Sequence, residues 1–153
     1  MTTTDRSVAY DTFTIVRDIP ASPARVFRGF SDFEQKQAWF GDPEGSTHTA
    51  DFRVGGKEVS EGAEPHGSGF SYRFDATYHD IVDDERIIYS YEMYVDGRKL
   101  SVSLTTITFE PSATGTLLTF TEHGAYLDGH EDPALRERGT QELLDKFTVV
   151  VTS

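Results

Sequence analysis

The stretch Asp132-Pro133-Ala134-Leu135-Arg136-Glu137-Arg138-Gly139-Thr140-Gln141-Glu142-Leu143-Leu144-Asp145-Lys146-Phe147-Thr148-Val149-Val150-Val151 decides the fold. Asp132 can cap a helix whose first turn holds Pro133, where the missing N–H costs nothing. Leu143, Leu144, Phe147, Val150 and Val151 then fall at i, i+1, i+4, i+7 and i+8, one face of a long helix. Gly139 and the β-branched run Thr148-Val149-Val150-Val151 weaken intrinsic helicity. The apolar stripe must therefore be held by packing against a sheet.

The residues before it supply that sheet. Phe70, Tyr72, Phe74, Ala76 and Tyr78 alternate with polar neighbours, and further on Ile87, Tyr89, Tyr91 and Met93 alternate with Ile88, Ser90, Glu92 and Tyr94. Turns at Asp83-Asp84 and Asp96-Gly97 separate these strands from each other and from a long Thr/Val/Ile strand over Leu100 to Glu110. After a turn at Pro111 to Gly115, Thr116 to Glu122 completes an antiparallel meander. Towards the N-terminus, a strand over Thr12 to Ile19 precedes two short helices. One is opened by Ser22-Pro23, and the other is capped by Asp32 with Gln35 and closed at Gly41. Between Gly41 and Gly69 glycine recurs, and two strand pieces, Ala50 to Val54 and Lys57 to Val59, flank a Gly55-Gly56 turn or bulge. The order implies an α+β layout in which an antiparallel sheet is covered from one side by the C-terminal helix. Residues 12–153 read as a single domain and residues 1–11 as a flexible N-terminus.

A length of 153 residues matches one such domain. Eleven Phe, seven Tyr and one Trp give it the material for a core. Fourteen Lys and Arg against twenty-six Asp and Glu leave a formal charge of −12, which repels phosphate backbones and anionic lipid. Nucleic acid and membrane are not expected as partners. The polar N-terminus has no secretory pattern, so a cytoplasmic location is expected. Zero Cys removes thiolate chemistry and Cys-based zinc sites. Five scattered His show no metal-ligand spacing, so no metal is expected, and His48, His66 and His130 read as surface or turn residues. Neither a serine nucleophile elbow nor a phosphate-binding loop is present.

One polar residue stands out. On the strand Thr116 to Glu122, Leu118 and Phe120 point inward, and period two turns Glu122 inward with them and His123 outward. A buried carboxylate needs a partner. Arg17 and Arg53 are the counter-charges in the expected strands, and Tyr72, Tyr89, Tyr91 and Tyr126 offer hydroxyls.

Several motifs in order carry a resemblance: Pro20-Ala21-Ser22-Pro23 with Val26-Phe27, Trp39-Phe40, Asp51-Phe52-Arg53-Val54-Gly55-Gly56, Asp84-Glu85-Arg86-Ile87, and Gly115 through Glu122. Together they resemble the heat-shock-protein-90 ATPase activator homologue group of the START/polyketide-cyclase-like (SRPBCC) superfamily, over residues 12 to 151. The resemblance implies a helix-grip fold, a curved sheet wrapped around the C-terminal helix and enclosing a deep, mostly apolar pocket. Relatives include lipid and polyketide binders, cyclases and presumed stress proteins. Many carry an inward histidine where this chain has Glu122, and Gly-Trp where it has Gly139-Thr140.

The leading expectation is binding of a small apolar or aromatic ligand between sheet and helix, with no cofactor. Trp39, Phe52, Phe74, Tyr89, Tyr91, Phe120 and Phe147 would form the wall and Glu122 the anchor. The alternative is a cofactor-independent cyclase or hydrolase with Glu122 as general acid or base, which leaves turnover open. A chaperone-interaction module, suggested by the resemblance alone, is the third. A homodimer through an exposed sheet edge or loop is compatible with the sequence.

Overall fold

The computed structural model describes residues 6–41, 45–63 and 70–153. Strand β1 (Val8–Ile19) leads into helices α1 (Pro23–Ser31) and α2 (Phe33–Trp39). Six strands follow: β2 (Ser46–Ala50), β3 (Lys57–Ala63), β4 (Ser71–Val82), β5 (Arg86–Val95), β6 (Arg98–Ser112) and β7 (Gly115–Leu127). Helix α3 (Pro133–Thr152) ends the chain. The sheet is antiparallel and curved, in the order β1-β7-β6-β5-β4-β3-β2. Register shifts after Tyr78 and Met93 help it to bend.

The caps form where the sequence places them. Ser22 accepts from the Arg25 N–H, Asp32 from Glu34 and Asp132 from Ala134. Strands β3, β4 and β7 run on to Ala63, Val82 and Leu127, past the expected Val59, Tyr78 and Glu122, and three further boundaries differ from expectation. First, β1 starts at Val8, because residues 8–11 pair with Leu127 back to Gly124. Second, Ala50 to Val54 is not a strand. β2 ends at Ala50, and Asp51 to Gly56 form the turn, in which a Cβ at Gly56 would stand 2.0 Å from the Asp51 carbonyl oxygen. The true β2, Ser-Thr-His-Thr-Ala, has no apolar alternation to reveal it. Third, Phe70 precedes β4 and is exposed.

Helix α3 is fastened at its C-terminal half. Leu144, Phe147 and Val151 are buried, and the Phe147 ring packs on Phe30 at 4.5 Å and on Trp39 at 5.1 Å between centroids. The Trp39 indole N–H donates to the Gly29 carbonyl at 2.9 Å, tying α2 to α1. Gly29 is what lets α1 and α3 approach, since a Cβ there would lie 2.5 Å from Phe147 Cε1 and 2.6 Å from Val151 Cγ1. Alanine would raise helix propensity, yet Gly29→Ala is expected to destabilise the fold by roughly 1–3 kcal/mol through overpacking. Urea denaturation reads this as a lowered midpoint. An unchanged or raised midpoint would contradict the tight seam.

Candidate functional site

The N-terminal half of α3 stands off the sheet, and a pocket of about 490 Å³ lies beneath it. Trp39, Phe40, Phe74, Tyr89, Tyr91 and Phe120 contribute aromatic walls. Leu135, Gly139 and Leu143 of α3 border the other side, and Glu122, Glu131 and Arg136 gather at one end. Strand alternation explains the walls. Tyr89 and Tyr91 on β5, Phe74 on β4 and Phe120 on β7 all point to the concave face.

Glu122 sits inside β7, not at a frayed end, and is 2% exposed. Thr105 donates its hydroxyl to Oε1 at 3.1 Å, and Tyr91 donates to Oε2 at 2.9 Å. Its counter-charge is neither Arg17, which pairs with Asp145, nor Arg53, which pairs with Asp51. Arg136 takes that place from α3, with Nη1 3.8 Å from Oε2. The same guanidinium donates to both oxygens of Glu131 at 2.7 Å, to the Tyr91 hydroxyl at 2.8 Å and to Ser101 at 2.9 Å. Burial pushes the Glu122 carboxyl above its ordinary range, and Arg136, Tyr91 and Thr105 pull it back without cancelling the rise.

A second buried carboxylate behaves in the opposite way. Glu58 on β3 is 1% exposed and meets Lys36 Nζ of α2 at 3.2 Å, His48 Nε2 of β2 at 2.7 Å and the Tyr78 hydroxyl. Burial raises this carboxyl too, but Lys36, His48 and Tyr78 outweigh burial and hold it at about 2. Lys36 also lies over the Phe40 ring at 4.8 Å and the Trp39 ring at 5.2 Å. The expectation that His48 is a surface residue is therefore corrected. Its side chain is 6% exposed because an ionised carboxylate draws it inward. His130 is exposed, and His66 falls outside the described residues.

Of the expected wall residues, Trp39, Phe74, Tyr89, Tyr91, Phe120 and Glu122 border the pocket together. Phe52 and Phe147 do not. Phe52 follows the end of β2 and packs edge-on against Phe27 and Tyr78. Phe147 is consumed by the α1–α3 seam and is fully buried. Sequence reasoning missed Arg136, although it continues the buried stripe of α3 backwards through Thr140. Among the described residues no cluster of three or more metal-capable side chains exists, and no helix is long and apolar enough to cross a membrane.

Residues 20–152 match the profile of the family described as Activator of Hsp90 ATPase homolog 1-like protein. The chain belongs to this family. Through it the chain is part of the SRPBCC superfamily, a fold associated with ligand binding without any one ligand being implied. Similar solved structures include a putative uncharacterized protein from Rhizobium leguminosarum, 39% identical with a TM-score of 0.92, covering 97% of this chain and 99% of its own. A protein from Rhizobium loti is 44% identical with a TM-score of 0.88, covering 94% and 99%. An AHSA1-like protein from Aeromonas hydrophila, 22% identical with a TM-score of 0.68 and coverage of 93% and 92%, shares the fold. No functionally curated protein matches the chain.

The two carboxylates of this AHSA1-like chain link to stability with opposite signs. Glu58, held below its ordinary 4.5, contributes stability that is present above that value and lost as pH falls towards about 2. Glu122, held above its ordinary value, contributes stability that is lost as pH rises through its native titration. Glu58→Gln strands Lys36 in the interior and is expected to cost about 3–5 kcal/mol near neutral pH. The gap between wild type and variant, followed by urea denaturation, narrows as pH falls below 4.5. A gap that is constant or widens on acidification would contradict this assignment.

Proposed function

We propose that this protein binds a small apolar or aromatic molecule in the pocket between α3 and the sheet, with Glu122 as the polar anchor. The observation carrying this reading is the combination of open volume and wall chemistry. A space of about 490 Å³ falls within the roughly 300–1,000 Å³ of small-molecule sites. Its walls carry many aromatic side chains, and its charged groups, Glu122, Glu131 and Arg136, converge at one end, as orientation of a ligand requires. Phe74, Tyr89, Tyr91 and Phe120 stand on strands of the sheet, which limits the ordering entropy that opposes binding.

A second reading is cofactor-independent acid–base chemistry, a cyclase or hydrolase. It is favoured by the buried Glu122 carboxyl, which burial raises above its ordinary range, and by the neighbouring Tyr91 hydroxyl at 2.9 Å. Turnover of a bound ligand by wild type and not by Glu122→Gln distinguishes it from binding alone.

Gly139 provides the test of the binding reading. It borders the pocket, and a Cβ there meets nothing within 4 Å. Gly139→Trp is expected to fold, since the substitution removes a helix-weakening glycine, and to fill the space. In a thermal-shift screen of hydrophobic metabolites, a ligand at 100 times its Kd stabilises wild type by about 2.7 kcal/mol. The variant is expected to lose that response. A panel that leaves the wild-type Tm unmoved, or moves both proteins equally, would sink the proposal.

A further inference from the structure

Arg136 and Glu122 share one end of the pocket and pair only loosely, at 3.8 Å. A guanidinium has five donors. Arg136 commits Nε and one Nη2 hydrogen to Glu131, the other Nη2 hydrogen to Ser101 and one Nη1 hydrogen to Tyr91. Its approach to Glu122 stops at 3.8 Å. Glu122 is left with two uncharged hydroxyl donors, Thr105 and Tyr91. An ionised carboxylate has about four acceptor positions, so roughly two stay unfilled.

The charge count points the same way. Glu122 and Glu131 are two carboxylates around one guanidinium. The buried Lys36 is committed to Glu58. Among the described residues, Arg136 is the cation within 4.0 Å of Glu122. Aromatic rings beside Glu122 present electron-rich faces, which attract cations. The protein's charge of −12 draws cations towards it and repels anions.

We propose that the ligand supplies a second cation for the two carboxylates that share Arg136: the pocket selects an apolar or aromatic amine, its ammonium on Glu122 and its hydrocarbon body among the rings. This rests on the binding reading above and gives it a chemical class. An ammonium donates three hydrogen bonds, which suits the unfilled acceptor positions of Glu122. A carboxylic acid placed there would face Glu122 and Glu131 and find Arg136 with one hydrogen to give. A neutral alcohol can donate one hydrogen bond but leaves the charge imbalance in place.

Isothermal titration calorimetry on the full chain near neutral pH tests this with three probes of one skeleton: 4-phenylbutylamine, 4-phenylbutan-1-ol and 4-phenylbutyric acid. The amine is expected to bind about tenfold or more tightly than the alcohol, with the acid weakest. Glu122→Gln should bring the amine down to the level of the alcohol. The wild-type comparison decides by itself if that variant fails to fold. Equal affinity for amine and alcohol, or tightest binding of the acid, overturns the amine assignment and leaves the pocket reading standing. No binding of any probe, together with an unmoved Tm across the metabolite panel, overturns both.

Discussion

Helix α3 is packed tightly against the rest of the protein at one end only, and the architecture of the site follows from that. Leu144, Phe147 and Val151 seat against Phe30, Trp39 and the bare backbone of Gly29. The helix cannot sink further into the curved sheet, because rings on both sides of that seam already touch. Its first half, from Leu135 to Leu143, therefore bridges a space it does not fill. Arg136 fixes this suspended half by reaching down to Tyr91 on β5 and Ser101 on β6. Packing holds one end of the helix, and a hydrogen-bonded cation holds the other.

The same interior treats two carboxylates in different ways. Both are almost fully buried, and burial disfavours the charged form of each. Glu58 is surrounded by Lys36, His48 and Tyr78, which together make ionisation favourable. That cluster joins α2, β2, β3 and β4 and serves the fold. Glu122 receives neutral hydroxyls and a guanidinium that is turned chiefly towards Glu131. A carboxylate so incompletely matched adds little to stability, and its position at the pocket wall accounts for its presence better than folding does.

Much of this was legible in the sequence, and the exceptions have physical causes. Period-two alternation located Tyr89, Tyr91, Phe120 and the inward Glu122, because a strand with one buried face writes that face into every second residue. Helical periodicity located α3 and its seam. Phe147 was assigned to the pocket because periodicity gives the face of a helix but not how far along it the neighbour approaches. Phe52 lies outside the pocket for a related reason, since the composition of Ala50 to Val54 suits a strand as well as the turn that it forms. Arg136, Lys36, Glu58 and His48 escaped because their burial depends on one another. Each looks like a surface residue alone and becomes internal only when tertiary structure brings the opposite charges together. Arg136 did leave a trace, in register with Thr140, Leu144, Phe147 and Val151 on the helix.

The central claim is that Glu122 is a buried carboxylate short of positive charge at the wall of an accessible pocket. A ¹³C NMR titration of the glutamate side-chain carboxyls, with Glu122 assigned by comparison with its glutamine variant, examines that state directly. The account predicts a Glu122 resonance that titrates above the ordinary 4.5 in the ligand-free protein, in contrast to a Glu58 resonance titrating at about 2. A Glu122 that titrates at or below 4.5 would mean that Arg136 already satisfies it, and the case for a charge-seeking pocket would be lost.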